Sequence, residues 1–182
     1  MHSVISVFIL AVMQVHYSLD NLPLFTNAAV TIGTFDGVHT GHQKIIAALK
    51  EEAKRIGGDT VLITFHPHPR KIVTDGSLQL INTLEERIFL LSQYNIDHLV
   101  IVPFTKAFSE QSAENYIEDF LVRNFKPKSI VIGYDHHFGK GRKGNFLLLK
   151  QYAGQLNFDL IEIPKHVLDE VAIRSTKIRN AL

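Results

Sequence analysis

Near-continuous apolar runs, rich in β-branched residues and closed by turn residues, recur at positions 28–35, 60–65, 98–104, 129–134 and 158–163. Uniform rather than alternating hydrophobicity is what strands covered on both faces of a parallel sheet require. Between these runs the apolar residues take helical spacing: Ile45, Ile46, Leu49, Ala53 and Ile56; then Leu84, Ile88 and Leu91 with Phe89; then Tyr116, Ile117, Phe120 and Leu121; then 146–156. Local signals mark the same boundaries. Thr83 with Glu86 forms a capping box, Gly57 and Gly58 close the first helix, and Lys126-Pro127-Lys128 closes the third. Strand and helix alternate throughout, which predicts a Rossmann-like α/β fold: a parallel sheet of about five strands with helices on both faces.

A sheet of this kind binds ligands outside the carboxyl ends of its strands. The polar segments fall there: Gly33 to His42 after the first run, "HPHPR" after the second, "DHHFGKGRKG" after the fourth and "KHVLDEVAIRSTKIR" after the fifth. The topology would gather all four at one edge. With 182 residues there is enough chain for one α/β domain, taken as 13–182. The formal net charge of +1 removes any global field favouring nucleic acid, so anion recognition must be local. No cysteine is present, which excludes disulfides, thiolate metal sites and thiol nucleophiles. "SVISVFILAV", Ser3 to Val12, resembles a signal-peptide core but lacks a basic start and a cleavage site, and it is too short to span a bilayer. Residues 1–12 are therefore either a leader or an extra buried strand, and no membrane partner is expected.

"TIGTFDGVHTGH", Thr31 to His42, holds the densest chemistry. If the strand ends near Phe35 and a helix begins near Gly41, Asp36 to Thr40 form the connecting loop and His42 lies in the first turn, where free N–H groups favour a phosphate. Gly33, Gly37 and Gly41 allow close approach, and two histidines can donate to phosphate oxygens. A turn with two surface histidines is the plainer alternative. "GKGRKG", Gly139 to Gly144, satisfies G-x-G-x-x-G, but it stands too far from the strand for a dinucleotide fingerprint and lacks the Ser or Thr of a P-loop. Ten histidines invite a metal reading, yet His66, His68, His136 and His137 have no recognised ligand spacing, so no protein-held metal is expected.

"GTFDGVHTGH" contains the H-x-G-H element of the nucleotidyltransferase α/β phosphodiesterase superfamily, and its longer form G-x-F-D-G-x-H-x-G-H resembles the bacterial bifunctional FAD synthetases. "TFHPHPR" is similar to that family's F-x-P-x-P segment, "GYDHHFGKGRKGN" to its G-x-[DN]-F-x-F-G segment, and "RSTKIR" to its S-S-T-x-I-R segment. The resemblance extends from Met13 onward.

The resemblance implies the amino-terminal module, an FMN adenylyltransferase that moves AMP from ATP to FMN and yields FAD and pyrophosphate. Mg2+ would travel with ATP. A carboxyl-terminal riboflavin kinase module is expected in full-length relatives, and its activity is not carried over to these residues. By the same comparison His39 and His42 hold the ATP phosphates and the transition state, with Gly33, Phe35, Asp36 and Gly41 against the nucleotide. Asp135 occupies the Asp/Asn position of the family motif and belongs at the nucleotide. Ser175, Thr176 and Arg179 contact the β- and γ-phosphates, while Phe65, Pro67 and Pro69 line the flavin side. Arg174 stands where the family usually has serine. Other readings are a different H-x-G-H transferase, acting on nicotinate mononucleotide, phosphopantetheine or a cytidylyl acceptor, and a flavin-nucleotide binding module without turnover. Cofactor synthesis implies a cytoplasmic location.

Overall fold

The computed structural model describes residues 12–74 and 78–169. The elements run β1 (Gln14–His16), β2 (Ala29–Ile32), α1 (Thr40–Ile56), β3 (Thr60–His66), α2 (Pro69–Val73), α3 (Leu84–Ser92), β4 (His98–Pro103), α4 (Lys106–Ser109) and α5 (Ala113–Asn115). A π-helical stretch (Tyr116–Val122) continues α5 into α6 (Arg123–Phe125), followed by β5 (Ser129–Gly133), a 3-10 turn (Lys140–Arg142), α7 (Phe146–Leu156), β6 (Asp159–Ile163) and α8 (Lys165–Asp169).

The strands form one six-stranded sheet in the order β1-β4-β3-β2-β5-β6, with every pairing parallel. The sheet has one strand more than the apolar runs announced. Gln14–His16 pairs with the start of β4 at the sheet edge, and its partly exposed sequence Gln-Val-His carries no apolar run. The strand lies outside residues 1–12, of which 1–11 are outside the described residues.

Alternate side chains of the buried strands feed two layers. Val30, Ile32, Val61, Ile63, Val100 and Ile130 face the helices from α5 to α6 and α7, in a core with Tyr116, Phe120 and Leu149. Leu62, Leu99 and Ile101 face the opposite way, toward Ile46 of α1 and Leu91 of α3. Helix boundaries follow the local chemistry. Gly57 caps α1 in the left-handed region at φ 63°, Lys126 does the same after α6, and both hydrogen bonds of the Thr83/Glu86 capping box are made, at 3.1 and 2.8 Å. The "HPHPR" segment that follows β3 enters a short helix. Pro69 opens α2, where a missing N–H costs nothing, and His68 Nδ1 accepts from the Arg70 N–H at 3.1 Å as its cap.

The strand order reverses between β2 and β5: the chain runs outward from β2 through β3 to β4 and then returns to the other side of β2. That is the crevice where an open α/β sheet receives its ligand.

Candidate active site

The parallel pairing of β2 with β5 ends at Thr31 and Val131, so the loops leaving the two strands start at neighbouring points of the sheet edge. From β2 the chain turns tightly through Gly33 to Val38, with Phe35 at φ 48° and Val38 at φ 37°. Left-handed backbone at two non-glycine residues so close together is strain that the surroundings must hold in place. Two groups hold it. The Phe35 ring, 1% exposed, is packed beneath the turn with Val38, Ile46 and Leu62, and the fully buried Asp36 carboxylate accepts from the Ile81 and Asn82 N–H groups at 3.0 and 3.2 Å.

α1 begins at Thr40 with His39 as N-cap, and His39 makes no side-chain cap bond. By contrast Thr83, Thr105, Ser112 and Asn145 all accept side-chain cap bonds at α3, α4, α5 and α7. The start of α1 therefore keeps backbone donors of the kind an anion uses. The rings of His39 and His42 stack over it, with centroids 3.7 Å apart and planes 21° apart, and Phe35 supports His42 from below at 4.9 Å.

Burial, then the neighbouring His39, then Arg87 push the His42 pKa down to about 3. His42 is thus a neutral imidazole at neutral pH, and its Nδ1 is buried with no hydrogen-bond partner among the described residues. A buried ring nitrogen left without a partner costs stability unless a ligand completes it.

Across the crevice, Asp135 is exposed at the end of β5, and its backbone carbonyl lies 2.9 Å from His137 Nδ1. His136 turns the other way, against the Phe138 ring, and burial followed by the charges of His137 and Arg142 pushes its pKa down to about 4. α8, with Lys165, follows β6 at the same edge.

Phe65, next to last in β3, lies in a buried aromatic group with Phe104, Phe108 and Phe120. Pro67 is exposed after a cis His66–Pro67 bond, and Pro69 is partly exposed. Of the residues singled out in the sequence, Gly33, His39, Gly41, His42, Asp135, Pro67 and Pro69 therefore share one edge, whereas Phe35, Asp36 and Phe65 are turned into the protein beneath it. Ser175, Thr176 and Arg179 lie outside the described residues.

The G-x-G-x-x-G match has a packing explanation. A Cβ at Gly139, which has φ 70°, would lie 2.8 Å from Ala113 Cα, and one at Gly144 would strike the Phe138 ring. Lys140 within this turn pairs with Glu110 at 2.6 Å.

Sequence reasoning missed Arg87. It is 1% exposed, and its Nη1 donates to Thr64 Oγ1 at 3.2 Å and to the Phe65 carbonyl at 3.3 Å. The signal was available: Arg87 lies three residues after Leu84 and four before Leu91, on the apolar face of α3. Among the described residues no group of three or more His, Cys, Asp or Glu side chains is placed to hold a metal, and no helix is long and apolar enough to cross a membrane.

A parallel sheet with helices on both faces and a crevice at its topological reversal define an α/β protein of the Rossmann-like class. The family model described as FAD synthetase matches residues 23–177, and the chain belongs to that family. Proteins named bifunctional riboflavin kinase/FMN adenylyltransferase are similar to it. The one from Buchnera aphidicola of Schizaphis graminum is 38% identical over 159 residues, covering 86% of this chain and 51% of the relative. That of Escherichia coli K12 is 34% identical over 154 residues, covering 84% and 49%, and that of Pseudomonas fluorescens is 33% identical over 172 residues, covering 93% and 55%. The chain spans about half the length of these curated relatives.

Two solved structures share the fold. A Streptococcus pneumoniae protein described as macrolide-efflux protein superposes with TM-score 0.79 at 23% identity, covering 93% of this chain and 57% of its own. Thermus thermophilus pantothenate synthetase gives TM-score 0.54 at 15% identity, covering 84% and 62%.

Proposed function

We propose that this chain transfers AMP from ATP to the phosphate of FMN, releasing pyrophosphate and forming FAD. The observation that carries the reading is the stacked His39/His42 pair at the start of α1, beside the β2/β5 crevice, in a chain of the FAD synthetase family.

The chemistry asks for positioning and charge neutralisation. An FMN phosphate oxygen attacks the α-phosphorus in line, the bond to the bridging oxygen breaks, and pyrophosphate leaves with its charge balanced by donors around it. The N–H groups at the start of α1 and the two imidazoles supply donors at the triphosphate. His42, neutral in the free protein, is able to take up a proton as the phosphates approach. Gly33, without a side chain, leaves room for the nucleotide at the crevice. The resemblance adds Ser175, Thr176 and Arg179 at the β- and γ-phosphates, and Pro67 and Pro69 on the flavin side. Phe35, Asp36 and Phe65 act from beneath by holding the turn and the end of β3.

Mg2+ belongs to this proposal as a partner of the triphosphate. The imidazoles are poor ligands for it, and Asp135 offers an exposed carboxylate at the same edge. When bound, it would neutralise phosphate charge. A cytoplasmic location, where FMN and ATP are both available, belongs to the same reading, and riboflavin phosphorylation is not proposed for this chain.

The test is FAD and pyrophosphate formation from FMN and Mg·ATP, compared with a His42→Asn variant. The variant should fold yet lose turnover by roughly 100-fold or more, the usual effect of removing one donor to a developing charge. Absence of FAD with folded protein in excess would sink the activity, and a fully active variant would remove His42 from it.

A further inference from the structure

Arg87 is the largest side chain buried almost completely in the described protein, and nothing in adenylyl transfer as set out above uses it. Its guanidinium lies under the edge that carries the histidines. Nη1 holds Thr64 Oγ1 and the Phe65 carbonyl, and Thr64 Oγ1 in turn donates to the Thr34 carbonyl at 3.0 Å, inside the strained turn. Nε and Nη2 are buried without partners among the described residues. Asp36, from the same turn, attracts the guanidinium electrostatically while its Oδ1 grips the backbone just before α3.

The attachment is therefore reciprocal: the turn holds α3 through Asp36, and α3 holds the end of β3 and the turn through Arg87 and Thr64. Two hydrophobic layers could hold these elements without a buried cation, and burying one is costly. The cation instead holds Thr64 Oγ1, which itself donates into the turn below the histidines, and its charge adds to the burial and the His39 neighbour that lower the His42 pKa.

We propose that Arg87 is a positioning residue of the phosphate site: through Thr64 and Asp36 it fixes the turn that presents His39 and His42. The proposal rests on the start of α1 being the phosphate site. The groups facing His42 are His39 at the head of its own helix and Arg87 from α3, with Asp36 of the turn against Arg87. α8, which packs on α1, brings Lys165 and His166 to that side.

The experiment titrates His42 by NMR, its signal assigned by loss in His42→Asn, in the wild-type protein and in Arg87→Met and Arg87→Lys. It is accompanied by kcat and KM for ATP. In Arg87→Met the His42 pKa should rise, while kcat falls several-fold and KM for ATP stays close to wild type. Arg87→Lys should return the titration toward wild type with only partial recovery of kcat, because an ammonium lacks the fork that serves both oxygens. If Arg87→Met does not fold, Thr64→Val replaces it: the expected result is an unchanged His42 titration with a several-fold lower kcat. An identical His42 titration in wild type and Arg87→Met, or wild-type kcat in Thr64→Val, overturns the proposal. The titration needs no turnover, so a protein that makes no FAD yet shows the shifted His42 would count against the activity alone.

Discussion

Gly41 leaves its two neighbouring histidines no slack. A Cβ at this position would lie 3.2 Å from Cε1 and Nδ1 of the His39 ring, close enough to push the ring off its stack on His42. In the first turn of a helix, alanine is otherwise the better residue, by up to about 1 kcal/mol. Gly41→Ala should therefore melt at or above the wild-type temperature while losing roughly tenfold or more in turnover, the scale of a small misplacement at a reacting centre. A variant that keeps full turnover would show that His39 need not stay where it is.

The neutral state of His42 leads to a second outcome. Bringing a triphosphate against the half-buried imidazole raises its pKa from about 3, so ATP should bind with net proton uptake. Uptake should be larger near pH 5.5 than near pH 8. Calorimetry in buffers of different ionisation enthalpy reads it directly, and the uptake should vanish in His42→Asn; buffer-independent heats at pH 5.5 would refute it. Both histidines and Gly41 were legible in the sequence because H-x-G-H is a local pattern. The roles of Asp36 and Arg87 were not, since their partners lie at Ile81, Asn82, Thr64 and Phe65, tens of residues away along the chain.

Among the elements, α3 shows how a local signal and a distant one divide the work. Its capping box was readable from Thr83 and Glu86 and is made as written, whereas the anchoring of its approach by Asp36 is tertiary. The two should differ in cost. Thr83→Ala removes one exposed cap and should cost about 1 kcal/mol. Asp36→Ala leaves two buried backbone donors without their acceptor and removes the carboxylate that attracts the buried Arg87 guanidinium, and should cost roughly 3 kcal/mol or more. Urea denaturation of the two variants measures the order, and equal losses would mean that Asp36 contributes no more than an ordinary cap. The five apolar strands were legible because burial on both faces leaves no polar position to confuse the pattern. β1 was hidden for the opposite reason: three residues at an edge, partly exposed, carry no periodic signal. α2 was hidden because proline marks both a loop and the first turn of a helix, and the π-helical register of Tyr116–Val122 leaves the spacing of its apolar residues looking like an ordinary helix.

For the molecule as a whole, half-buried and buried histidines should set the response to acid. Burial lowers the pKa of His42 to about 3 and of His136 to about 4. It also lowers those of His16 and His98, whose rings meet at 3.2 Å across β1 and β4. Unfolded histidines take up protons near pH 6.5. Below that value the unfolded chain binds more protons than the folded one, so stability falls as pH drops from about 6.5 toward the folded values. Glu52, whose carboxyl is held low by the hydrogen-bonded Arg55, works in the same direction at lower pH, as its stability is lost while pH falls through its folded pKa. Between pH 7 and pH 4 the loss should be on the order of 3 kcal/mol from each of His42 and His136, a large part of the margin of a domain this size. Replacing His136 by phenylalanine keeps an aromatic ring against Phe138 and removes one titrating group, so His136→Phe should flatten the fall in melting temperature between pH 6.5 and pH 4. His42→Asn should flatten it as well, and the double variant should flatten it most, since the two sites have separate neighbours. Melting temperatures that decline equally in all four proteins would place the origin of acid sensitivity elsewhere, in the carboxylates rather than the imidazoles.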